Sequence, residues 1–153
     1  MPQVIVISGM PQYPPEVKAV EAITPGHLVD FVLAAGATQG QLRRHLDAGG
    51  NRACMFAIES LVPSLSSSQT APIDIPYAIG DSVRWVVPQS GDVIYAWVPA
   101  NAAAIVRGNS LGTNGDGTLI LFAAQVTGAL VIADENVNNA AIAVPSRIRV
   151  RVI

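Results

Sequence analysis

The sequence predicts an all-β protein, a small β-barrel or jelly-roll-like sandwich with an extended N-terminal arm. Three observations carry that expectation. Val (19) and Ile (14) make up 33 of 153 residues, and branching at Cβ suits the pleated strand better than the helix. Thirteen Gly and eleven Pro are scattered along the whole chain as turn punctuation between short apolar runs. The stretch Arg147-Ile148-Arg149-Val150-Arg151-Val152 alternates charged and apolar residues strictly, the mark of a strand with one face on a core. At roughly 100–200 residues per domain the length fits one domain. We place the arm at residues 1–15 and a single all-β domain at 16–153.

The elements follow in order. Val4-Ile5-Val6-Ile7 reads as a strand, after which Pro11, Pro14 and Pro15 force extended chain. This arm is expected to pack on the body, as an edge strand of its own sheet, or to reach a neighbour. Val17–Ile23 and Leu28–Leu33 are strands around the turn Thr24-Pro25-Gly26. Leu42–Leu46 and Ala53–Ile58 are strands around Asp47–Asn51. Pro63, Ser66-Ser67-Ser68 and Pro72 mark residues 60–72 as an exposed loop. Gly80-Asp81 and Gly91-Asp92 each open an apolar, aromatic run, ending near Val87 and Val98, and together read as a β-meander; Pro25-Gly26-His27-Leu28-Val29 is a weaker third copy. Short helices are expected around Ala100–Val106 and Asp134–Asn138. Asn109–Thr118 is a turn-dense loop, with strands at Leu119–Ala124 and Ala129–Ala133 after it.

Charge narrows the function classes. Only 13% of residues are Asp, Glu, Lys or Arg, and the net charge is −2. That is far from the basic balance a phosphate-gripping nucleic-acid binder needs. No apolar run reaches the roughly 20 residues of a membrane helix. Met1–Ile7 has neither the basic start nor the long apolar core of a signal peptide, so synthesis in a cytoplasm is expected. Eight of nine basic residues are Arg, the type enriched at protein interfaces, and Lys18 is the single Lys. A sparsely charged exterior of this kind fits a surface covered by other subunits.

Catalytic patterns are missing. His27, His45 and Cys54 are the only soft ligands in the chain, too few for zinc. Cys54 lies in the apolar run Ala53–Ala57, where an inert thiol is the rule. Asn114-Gly115-Asp116-Gly117-Thr118 misses the calcium-loop spacing, because Gly112 and Ala123 would fall at the first and twelfth positions. Gly108–Gly112 lacks a partner His for a nucleophile elbow, and no phosphate loop opens a helix. No enzyme activity, metal or cofactor is expected. Trp85, Tyr95 and Trp97 fall on strands read as adjacent, and could form a sugar-stacking or adhesion face.

The order ITPGHLVDF, HLDAGG, FAIES, IGDSVRWVVPQSGDVIYAWVPANAAAIVRGNSLGTNGDGTL and RIRVRVI, over about residues 14–153, resembles small structural proteins of tailed bacteriophages. More narrowly it is similar to head decoration, or cement, proteins. The resemblance implies a small all-β protein that binds the outside of the capsid as a homotrimer, contacts the major capsid protein and stabilises the shell. It implies no nucleic-acid or membrane partner and no catalytic residues. Contact residues expected here are Val4 and Val6 in the arm, Trp97, and Arg147, Arg149 and Arg151. The alternative is a carbohydrate-binding or host-adhesion module of the virion built on Trp85, Tyr95 and Trp97.

Overall fold

The computed structural model describes residues 4–32, 40–46, 54–61, 71–122, 129–138 and 143–153. Among them the chain forms twelve strands: β1 Val6–Ser8, β2 Val17–Lys18, β3 Val29–Val32, β4 Gln41–Arg44, β5 Phe56–Ala57, β6 Ser82–Val83, β7 Trp85–Val86, β8 Val93–Val98, β9 Ser110–Thr113, β10 Leu119–Leu121, β11 Val131–Ala133 and β12 Ser146–Val152. One six-stranded antiparallel sheet runs β1-β8-β12-β11-β9-β10, and three pairs, β2–β6, β3–β4 and β5–β7, make up the rest. The architecture is all-β, of the sandwich type. The sheet stays open, with β1 and β10 at its edges, so the barrel form of the expectation is not realised.

β12 shows why this sheet forms. Ile148, Val150 and Val152 point into the main core, while Arg149 and Arg151 face outward, as their alternation predicts. Its partner β8 buries both faces. Ile94, Ala96 and Val98 are fully shielded in the core. The other face of β8 lies opposite the arginines, in the register Arg147↔Trp97, Arg149↔Tyr95 and Arg151↔Val93. Long Arg side chains cover apolar neighbours while their heads stay wet, and this explains how Tyr95 and Val93 are buried on a sheet's outer face. The main core also gathers Ile5, Leu28, Phe56, Leu111, Leu119 and Val131. A second core lies under the paired strands, around Ile23, Val29, Leu42, Val83 and Trp85.

The N-terminal stretch is extended and packs on the body. β1 pairs with β8, Ile5 is fully buried, and Gln12 and Val87 exchange backbone hydrogen bonds at 2.9 Å. The run continues through β2–β6 to a bridge between Ile23 and Tyr77. Residues 5–23 thus lie antiparallel along residues 77–95, and the residues expected as an arm anchor the core.

Three sequence expectations change. The two Gly-Asp turns do not build a meander, because β7 pairs with β5 whereas β8 pairs with β1 and β12. Gly91 instead donates to the Val152 carbonyl at 2.9 Å, which turns the chain from one layer to the other. Asn109–Thr118, read as a loop, holds strand β9 at Ser110–Thr113, which pairs with β10 and β11. The helices expected at Ala100–Val106 and Asp134–Asn138 are absent. Ile105 and Val137 pair as a β-bridge, with N–H···O distances of 2.7 and 2.8 Å. Burial of the β-branched Ile105 in the core overrides the high helix propensity of its alanine neighbours. Residues 62–70, Leu33, residues 47–53 and residues 123–128 lie outside the described residues, and so do the expectations that fall on them.

Candidate functional site: the Pro25–Leu28 junction and the arginine face

The weaker third copy of the turn motif proves to be the hub of the molecule. Gly26 N–H donates to the Ala57 carbonyl of β5 at 2.8 Å, and the Gly26 carbonyl accepts from Trp97 N–H of β8 at 3.2 Å. Leu28 N–H donates to the Gly117 carbonyl in the β9–β10 turn, and the Leu28 carbonyl accepts from His45 N–H after β4. Four separate elements therefore meet on Gly26 and Leu28. Gly26 is required there: its φ is +95°, and a Cβ would lie 2.9 Å from the Tyr95 carbonyl oxygen.

The side chains converge on the same place. The Pro25 carbonyl accepts from Trp97 Nε1 at 2.9 Å and from Arg147 Nε at 3.1 Å. The Arg147 guanidinium lies over the Trp97 ring at 4.1 Å from its centroid, a cation–π contact. It also pairs with Asp74 at 2.6 Å and donates to the Ile73 carbonyl. The Arg147 side chain is only 7% exposed.

His27 closes the turn from the other side. Its Nδ1 accepts from Thr24 N–H at 3.1 Å, and its own N–H donates to the Thr24 carbonyl at 3.1 Å. Nδ1 therefore carries no proton and the ring is neutral. Burial, reinforced by the Arg44 and Arg147 charges and opposed by Asp116 and Glu21, pulls its pKa down to about 4. Arg44 is held by Glu21 at 3.1 Å.

Along the rest of β12, each arginine has a carboxylate. Arg149 pairs with Glu135 at 3.3 Å, and Arg151 with Asp134 at 3.4 Å, which also holds Arg107 at 3.0 Å. Three like charges in a row would repel; these acids offset them.

The expected contact residues separate into two groups. Val4, Arg149 and Arg151 face solvent. Val6 packs against the main core. Arg147 and Trp97 clamp the chain's own junction, so neither is a free contact residue. The reason is the Pro25 carbonyl, a turn acceptor brought to β8 by the fold and invisible in the alternation of β12. Trp85, Tyr95 and Trp97 do not form one aromatic platform either. Trp85 belongs to the second core, stands edge-on to Phe31 at 5.1 Å and donates through Nε1 to the Pro15 carbonyl at 3.0 Å.

The remaining groups with chemical potential are quiet. Burial pushes the Cys54 thiol up to about 12. Partial burial raises the Asp116 carboxyl, but hydrogen bonds from the Thr118 hydroxyl and N–H and from Asn114 outweigh it and hold the carboxyl below its ordinary range. Among the described residues no three His, Cys, Asp or Glu converge, and no helix is long and apolar enough to cross a membrane.

No protein-family model matches the chain, and no curated protein matches it either.

Proposed function

We propose that this protein is a structural component of a tailed-phage virion, a decoration or cement protein that binds the outside of the capsid as a homotrimer and stabilises it. One observation carries the reading. The described arginines are engaged within their own chain by carboxylates and carbonyls, while large apolar side chains stand exposed. Arg43, Arg44, Arg107, Arg147, Arg149 and Arg151 all lie in ion pairs, and Arg84 donates to the Glu59 carbonyl. Met10 is 83% exposed, Leu61 75% and Ile79 74%. An exterior of this kind gains by being covered, since apolar area removed from water stabilises contact by about 25 cal/mol per Å². A junction that ties four elements together suits a rigid clamp, and three modest contacts per trimer multiply into tight attachment. The partners are two sister subunits and the major capsid protein, and the location is the capsid exterior after synthesis in the host cytoplasm.

Two measurements test this. Sedimentation velocity of the purified protein should give the mass of a trimer. Genome-free heads of the phage that encodes the chain should carry it down on co-sedimentation and resist heat better with it than without. Met10→Asp and Ile79→Asp should reduce attachment while leaving the thermal melt unchanged. A monomer at high concentration that never pellets with heads refutes the proposal.

A further inference from the structure

Asn114 is the only Asn followed by Gly in the chain. A glycine has no Cβ to shield its backbone nitrogen, so Asn-Gly is the dipeptide most open to spontaneous deamidation. In that reaction the Gly115 nitrogen bonds to Asn114 Cγ as the Cγ–Nδ2 bond breaks. The Gly115 proton leaves with Nδ2 as ammonia. Water then opens the succinimide to aspartate or isoaspartate.

The native turn engages both reacting groups. The nucleophile, Gly115 N–H, donates to Thr113 Oγ1 at 3.2 Å. The leaving group, Asn114 Nδ2, donates to Asp116 Oδ2 at 3.2 Å and to Thr118 Oγ1 at 3.3 Å. Asn114 N–H is tied to the Thr118 carbonyl at 2.9 Å, which fixes the backbone on which the ring would have to form. We propose that Asn114 is a deamidation site of this chain, held in check by the folded β9–β10 turn and released when that turn opens.

The site is placed to matter. Deamidation puts a second carboxylate beside Asp116, where like charges repel. Isoaspartate also adds a methylene to the backbone of a turn whose Gly117 bonds both Leu28 and His45. The modified turn loosens the junction. The inference stands independently of the decoration reading.

The experiment uses the full-length protein, incubated at body temperature in mildly alkaline buffer, native and in urea, with peptide mapping by mass spectrometry. Freeing nucleophile and leaving group each contributes about tenfold, so native Asn114 should react about a hundredfold more slowly than unfolded Asn114. Thr118→Val, which removes one acceptor of Nδ2, should speed the native reaction, and Thr118→Ser should restore it. Equal rates in native and unfolded protein overturn the proposal, as does first deamidation at another Asn in the unfolded chain. A Thr118→Val protein that keeps its native circular dichroism yet reacts no faster overturns the assignment of the brake to these bonds. If Thr118→Val does not fold, the native-against-urea comparison of the unmodified sequence decides alone.

Discussion

Acidification should unlock the Pro25–Leu28 junction through one side chain. Folded His27 has its pKa pulled from the ordinary 6.5 down to about 4. The unfolded chain therefore takes the proton first, and stability is lost as pH falls from about 6.5 to about 4, with the full loss below that window. At about 1.4 kcal/mol per pKa unit the gap is worth about 3 kcal/mol. Solvent reaching the half-buried ring trims this toward about 2 kcal/mol. The mechanism is local: protonated Nδ1 can no longer accept Thr24 N–H, and the new charge sits near Arg44 and Arg147. The groups facing it from the packed elements are Arg44, Asp116, Arg147 and Glu21, and the two acids do not outweigh burial and the two arginines. The control is His27→Asn, whose Oδ1 can take the place of Nδ1 and which does not titrate. Urea unfolding between pH 7 and pH 4, at constant m, should show the native protein losing about 2–3 kcal/mol more than His27→Asn. The Asp116 contribution fades only below the ordinary carboxylate range and is common to both proteins. Parallel pH profiles for the two proteins refute the reasoning.

Other outcomes follow from the same geometry. Arg147→Lys loses the stack on Trp97 and the fork between the Pro25 and Ile73 carbonyls, and should cost about 2 kcal/mol by urea unfolding. Arg149→Ala and Arg151→Ala, whose side chains are about half exposed, should each cost under about 1 kcal/mol. Gly9→Ala should cost about 2 kcal/mol or more, because φ is +120° and a Cβ would lie 1.9 Å from the Asp92 carboxylate that accepts Met10 N–H. Cys54, its thiol pushed up to about 12, should resist iodoacetamide in the native protein and react on unfolding.

Local rules made β12 legible. An alternation of charge and branched apolar residues has one low-energy solution on a core, and Ile148, Val150 and Val152 take it. The all-β class was legible for the same reason. Partner choice was not. β7 and β8 share a turn motif but join different sheets, because pairing is decided by which apolar faces meet, and Phe56 meets Val86 across 30 residues of sequence. The junction was the least visible feature. Pro25-Gly26-His27 registers locally as a turn, yet its value lies in carbonyls that reach Trp97 and Arg147, 72 and 122 residues away. A repeat of Pro-Gly and Gly-Asp turns hinted at its place without naming its partners. The same gap explains why Arg147 reads from sequence as a surface contact while the fold buries it.

The position of β12 inside the six-stranded sheet has a consequence for biogenesis. A ribosome releases β1, β8, β9, β10 and β11 before the strand that joins β8 to β11 exists. Until then those strands wait with open edges, which are templates for pairing with other nascent chains. The sheet is completed only after synthesis has passed Val152, and contacts of such long sequence separation make that step slow. Yield in a heterologous host should therefore depend on temperature and chaperone supply more steeply than the stability of the finished protein suggests.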